Sequence, residues 1–167
     1  MSDTRRRVGI VLVAGGLLLL GTAAAAYARG AIARERVRTE WEAARARAAR
    51  EGMDRMLGAR PASRPRAGEP VARLLIPALG LDEIVVEGVD DRQLNVGPGH
   101  VPQSVRPGAT GNAVISAHRD RHFARLDEIA LGDTITTETI EGTTTWVVVS
   151  RRVLSRHARP LRDAGRA

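Results

Sequence analysis

The sequence contains no cysteine and no lysine, and its aromatic residues are only Tyr27, Trp41, Phe123 and Trp146. Without cysteine the 167-residue chain can build no disulfide framework, no thiolate zinc site and no thiol nucleophile. With lysine absent, all 26 basic residues are arginine, beside heavy Ala and Gly usage, a pattern of GC-rich codons rather than of selection for phosphate contacts. The scarcity of aromatics removes the stacking platforms that a single-stranded nucleic-acid binder interleaves with its basic residues, so no nucleic-acid partner is expected.

What is present is unevenly spread. Residues 1–70 carry 14 Arg against 7 acids, residues 71–150 carry 6 against 11, and residues 151–167 carry 6 against 1, so an acidic body lies between two basic ends. Arg5, Arg6 and Arg7 precede 21 uncharged residues from Val8 to Ala28, enough at helical rise to cross a hydrocarbon core. An uncleaved membrane anchor is expected over 8–28, with a cytoplasmic N-terminus over 1–7. A cleaved secretory signal is the competing reading, because the apolar run ends in small residues at Ala24 to Ala28. The arginines after the span (Arg29, Arg34, Arg36, Arg38, Arg45 and Arg47) outnumber those before it, and on the positive-inside rule alone they favour a cytoplasmic C-terminus.

Residues 29–57 are rich in Ala, Arg and Glu without proline, and Val37, Trp41, Ala44 and Ala48 recur at steps of three or four. This spacing predicts an exposed helical stalk with a thin apolar stripe. Its Arg-rich face lying on anionic headgroups is the alternative. Residues 58–70, "GARPASRPRAGEP", concentrate Pro, Gly and Ser and read as a linker.

From Val71 the pattern changes to short runs of Val, Ile and Thr between Gly, Pro and Asp: "VARLLIP", "EIVVEGV", "NAVISA", "DTITTETI" and "TTTWVVVS". These predict an all-β body, with a hairpin turning at Glu141-Gly142, where the glycine supplies a positive φ, and with Trp146 and Val147 to Val149 in the local core. Residues 96–112, with three prolines and four glycines, predict a surface loop. Phe123, Leu126 and Ile129, spaced by threes, predict one or two helical turns between His118 and the hairpin.

Three readings of "SAHRDRH" can be weighed on chemistry alone. His118 and His122 are four apart, the spacing of zinc ligands on one helix face, but no third ligand is marked and no metal or other cofactor is expected. The triplet His118-Arg119-Asp120 matches the kinase catalytic loop, yet Arg125 stands where that loop needs Asn and no Gly-rich nucleotide loop is present. Ser116 could share a strand face with His118, but no Gly-x-Ser-x-Gly elbow presents it as a nucleophile. An imidazole at a strand end satisfied by a backbone carbonyl remains open for His118.

"VARLLIPALGLDEIVVEGV", "LNVGPGH" and "GNAVISAHRDRHFARLDEIALGDTI" together resemble a sortase, in particular class D or a related proteobacterial class, from about Val71 to Leu154. The resemblance implies a sortase-like β-barrel and an extracytoplasmic cysteine transpeptidase. Such an enzyme acts on a secreted protein with a C-terminal sorting signal and transfers the acyl product to an amine. It makes His118 the catalytic histidine, with Ala117 where many relatives have Gly. An imidazolium there favours the thiolate and protonates the leaving amine, while an arginine stabilises the oxyanion.

The family's cysteine ends a Thr-Leu-x-Thr-Cys strand and its arginine begins the next; neither motif is in these 167 residues. The expectation is therefore an all-β, sortase-like barrel lacking its last two strands over 71–167, roughly 25 to 35 residues short, behind a transmembrane helix and helical stalk. Truncation, or a frame change near Ser155, would each account for the ending. The chain as given is expected to be inactive, single-pass in the inner membrane with an extracytoplasmic body. A membrane-tethered β-domain that binds a peptide without cutting it is the alternative.

Overall fold

The computed structural model describes residues 2–51 and 64–153. Helix α1 runs from Ser2 to Glu51, and the chain divides into two compact units, Met1–Arg36 and Val37–Ala167. Within the first unit, Val8 to Val13 and Leu17 to Leu20 present apolar side chains to the outside, with Leu17 65% and Leu19 71% exposed. An apolar helix with no buried face is a candidate membrane span by length and composition. The expected linker falls largely on residues outside the described ones, as do the stalk beyond Glu51 and the tail from Leu154.

The second unit is built on one sheet, with strands β1 (Pro70–Ile76), β2 (Leu81–Glu87), β3 (Gly99–His100), β4 (Ile115–Ser116), β5 (Thr134–Glu138) and β6 (Thr143–Val147) in the order β4-β3-β2-β1-β5-β6. β1 and β2 pair antiparallel through a 3-10 turn at Pro77–Leu79 that Gly80 ends in the left-handed region, at φ 62. Pro77 fixes the turn's start and Gly80 its end, so the sequence "PALG" itself reverses the chain.

Antiparallel partners share a face, so Leu74 and Glu83 lie on one side of the sheet, and Arg73 and Ile84 on the other. Ala72, Leu74, Ile76 and Val85 form the inner face and pack with Leu79, Ile129 and Val148 into the core. β2 is buried on both sides, since Ile84 (6%) and Val86 (1%) on the outer face are as enclosed as Val85.

The outer face also meets the last turns of α1. Arg38 donates to the Asp82 carbonyl, Arg45 bonds Glu138 at 2.6 Å, and Trp41, on the same helix face, is 3% exposed. This corrects the picture of a wholly exposed stalk. A single large side chain in an Ala-Arg helix can dock the segment without a long apolar stripe.

Between helix and sheet, Arg73 donates two hydrogen bonds to the Asp82 carboxylate and reaches Glu138 at 3.5 Å. The hydrogen bond from Arg73 holds the Asp82 carboxyl below its usual range, against the opposing effect of burial. A carboxyl lowered in the folded state stabilises above its unfolded pKa, about 3.9 for Asp, and that contribution is lost as pH falls through the folded value. Both side chains are partly exposed, which limits the pair to about 1 kcal/mol or less. Melting curves of wild type and Asp82→Asn are expected to differ at pH 6, to begin to draw together as the pH falls below about 4, and to converge only below the lowered folded value.

The expected loop over 96–112 contains a strand. β3 runs parallel to β2, and the Gly97-Pro98-Gly99 run permits it: a Cβ on Gly99 would lie 2.2 Å from the Gly88 carbonyl oxygen, and one on Gly97 2.6 Å from that of Ile84. Two residues of parallel pairing carry no alternation, so the sequence shows only punctuation. A short helix α2 (Asp91–Leu94) precedes it, and "NAVISA" shrinks to the two residues of β4.

The hairpin is as expected, with Glu138 opposite Thr143, and Thr139 Oγ1 accepts from the amides of Glu141 and Gly142. Gly142 takes the positive φ expected of it, at 156, close to extended backbone. The apolar run behind it is not the core block expected: Val148 is buried, but Trp146 is 37%, Val147 58% and Val149 85% exposed. Among the described residues β6 pairs only with β5, so nothing covers its outer side. The spacing of Phe123, Leu126 and Ile129 by threes matches turns and a 3-10 segment, Leu126–Glu128, rather than an α-helix.

Candidate active site

His118 lies two residues beyond β4, where the chain leaves the sheet and folds back on itself. Its carbonyl accepts from the amides of Arg121 (3.2 Å) and Phe123 (3.1 Å), and Phe123 packs against the core. The imidazole is half-buried and, among the described residues, makes no hydrogen bond. The carbonyl-satisfied ring that composition left open is therefore not found. A fixed backbone carries a ring whose nitrogens are uncommitted.

Three arginines around the segment after His118 are committed. Arg121 donates to Asn95 Oδ1 (2.6 Å), Arg125 pairs with Glu128 (2.6 Å) and donates to the Leu79 carbonyl, and Arg151 donates to the carbonyls of Asp127 and Ile129. Arg125 thereby holds the Glu128 carboxyl below its usual range. These contacts tie the segment after His118 to the end of α2 and to the turn between β1 and β2.

Beside this segment a cavity of about 400 Å³ opens on the inner face of the sheet. Leu74, Ile76, Ile115, Phe123, Ile135 and Trp146 give it apolar walls, and Asn112 and Thr137 supply polar groups. Ile115 and Phe123 bracket His118 in sequence, so the cavity and the histidine turn share a wall. Trp146 is held there by its indole N–H, which donates to Thr137 Oγ1 at 3.1 Å.

The other two described histidines are engaged. His122, 4% exposed at its side chain, points Nδ1 at Glu83 Oε1, 3.2 Å away, so it does not join His118 as a ligand pair. His100, 2% exposed, has Nδ1 2.8 Å from Glu87 Oε2, and Nε2 3.0 Å from both Ser104 Oγ and the Val105 carbonyl.

Ser104, His100 and Glu87 thus form a chain of the kind that activates a nucleophilic serine. Ser104 Oγ, however, donates to the Val101 carbonyl (2.8 Å) and accepts from the Val114 amide (3.0 Å), and Nε2 faces a carbonyl that only accepts. The hydroxyl proton is held by backbone, and the chain is a strut that closes the loop from Val101 to Val114. Sequence reasoning misses it; the signal is a histidine following "GPG" with a serine four residues on. Ser116, a candidate by its place beside His118, makes no hydrogen bond to it among the described residues.

Comparison with known proteins identifies the family and the fold. The Sortase domain family profile matches residues 74–164. Sortase D of Bacillus subtilis (strain 168) is 31% identical over 93 residues, which are 56% of this chain and 47% of that protein, so the chain spans about half of that relative's length. The structure of a Clostridium perfringens Sortase D5 transpeptidase superposes with a TM-score of 0.51 at 23% identity, over 60% of this chain and 62% of that one. A sortase from Corynebacterium diphtheriae does so with 0.50 at 28%, over 58% and 50%. The curled sheet of residues 70–147 is the half-barrel of that fold, preceded by the long apolar helix. With just over half its residues matched by the profile, the chain belongs to the sortase family.

Proposed function

We propose that this chain is the membrane-anchored, histidine-bearing part of a cysteine transpeptidase in which His118 is the general acid/base. The observation that carries the reading is an uncommitted imidazole on a backbone fixed by two hydrogen bonds, in a turn whose flanking residues Ile115 and Phe123 line an apolar cavity. In such an enzyme the imidazole favours the thiolate, then protonates the leaving amine as the acyl group moves to sulfur. The substrate is a secreted protein with a C-terminal sorting signal, and the acceptor is an amine. Residues 8–28 are the anchor, 29–57 the stalk, 58–70 the linker and 71–167 the catalytic part, held on the outer side of the inner membrane. Orientation is checked by protease added to cells with a permeabilised outer membrane: digestion of the body is expected, and its protection would refute an exported domain.

The chain of 167 residues has no thiol, so by itself it forms no acyl-enzyme. Intact-mass measurement after incubation with a sorting-signal peptide is expected to show no covalent adduct and no cleavage; thiol-dependent cleavage would overturn the reading. The same lack of a thiol, with the cavity retained, supports a second reading: a tethered domain that holds a peptide without cutting it. Sequencing beyond codon 167 in all three frames separates the two. A Thr-Leu-x-Thr-Cys strand and a following Arg support the enzyme, and their absence from every frame favours the binder.

A further inference from the structure

The geometry points to Glu83 and His122 as the pair that positions the His118 turn, a role that rests on His118 being the reacting group. His122 stands between the two residues, Arg121 and Phe123, whose amides close the turn on the His118 carbonyl. Its ring is turned inward, 4% exposed, and Nδ1 meets Glu83 Oε1 at 3.2 Å across 39 residues of sequence. Glu83 is on β2, opposite Leu74 and therefore on the inner face of the sheet, with its side chain partly exposed.

The other ring nitrogen shows that this bond alone orients the imidazole. His122 Nε2 is buried and has no hydrogen-bond partner. A carboxylate oxygen only accepts, so the tautomer that bonds Glu83 is the one with its proton on Nδ1. The turn is then held by Phe123 in the core, by Arg121 on Asn95, and by His122 on β2, while the ring of His118 stays free of hydrogen bonds among the described residues. Glu83 and His122 act on the reaction through His118 and do not touch substrate; they are positioning residues.

The test uses the full chain in detergent, labelled with nitrogen-15. Long-range proton-nitrogen spectra of the wild type are expected to show His122 protonated at Nδ1 and bare at Nε2; a proton on Nε2 alone overturns the proposal without any substitution. Glu83→Leu is expected to shift the ring resonances of His118 and to speed hydrogen exchange at the Arg121 and Phe123 amides on the order of tenfold. Glu83→Gln keeps an acceptor oxygen and is expected to restore both. Wild-type His118 resonances and exchange rates in Glu83→Leu contradict the pairing, as does a Gln variant no better than Leu. If the Leu variant fails to fold, the wild-type tautomer and the Gln variant decide. None of these readouts depends on peptide cleavage, so failure of the enzymatic reading is seen separately.

Discussion

Replacing His100 by leucine is expected to destabilise the body by about 3–5 kcal/mol, a large share of the roughly 5–15 kcal/mol that holds a domain folded. The reason is what the substitution leaves behind. Glu87 is 8% exposed and its carboxylate has His100 as its hydrogen-bond partner, so the variant strands a buried charge. The Val105 carbonyl and Ser104 lose a partner as well, and the loop that carries Asn112 and Ala113 to the cavity wall is released.

Glu87→Gln, which keeps an oxygen against Nδ1, is expected to lose no more than about 1.5 kcal/mol. The double variant His100→Leu, Glu87→Leu is expected to recover much of the loss, because both polar groups leave together. Urea denaturation of the three variants checks the order. A His100→Leu variant as stable as wild type would show that the pair is not the strut described.

Trp41→Ala carries the second large effect, about 3–5 kcal/mol. Trp41 is the buried aromatic of α1, 3% exposed, flanked on its helix face by Arg38 on the Asp82 carbonyl and Arg45 on Glu138. The first contact is a long bond of 3.3 Å and the second leaves Arg45 half exposed, so neither holds the helix strongly. Truncating the indole removes the apolar part of the docking and uncovers the outer face of β2. Trp41→Phe is expected to lose much less, because most of the apolar area stays. Thermal melts of the full chain in detergent distinguish the two, and a change below about 1 kcal/mol for Trp41→Ala would mean that the helix is not anchored through this residue.

These two sites mark the limit of what the sequence displays. Runs of Val, Ile and Thr locate β1, β2, β5 and β6, each five to seven residues long, although only β1 buries every second residue. β3 escapes notice, since its pairing depends on two glycines approaching a carbonyl closely and leaves no periodic trace. The Val147 to Val149 run looks like core because hydrophobicity does not say whether a strand has a neighbour on both sides. Trp41 looks like part of an exposed stripe because burial of one residue depends on a surface far along the chain.

The candidate site divides in the same way. His118 is legible from the residues around it, through their resemblance to sortases. The acids that meet the other histidines are not, for Glu87 and His100 are 13 residues apart and Glu83 and His122 39 apart. No local pattern couples positions joined only by the sheet.

The central claim is that His118 in this chain is the acid/base half of a cysteine transpeptidase site. A hybrid in which the cysteine and arginine strands of the Bacillus subtilis sortase D follow Val153 tests it most directly, with folding confirmed by circular dichroism. The account predicts thiol-dependent cleavage of a sorting peptide, reduced on the order of a hundredfold or more by His118→Ala. A folded hybrid that is inert, or one whose cleavage survives His118→Ala, would contradict it.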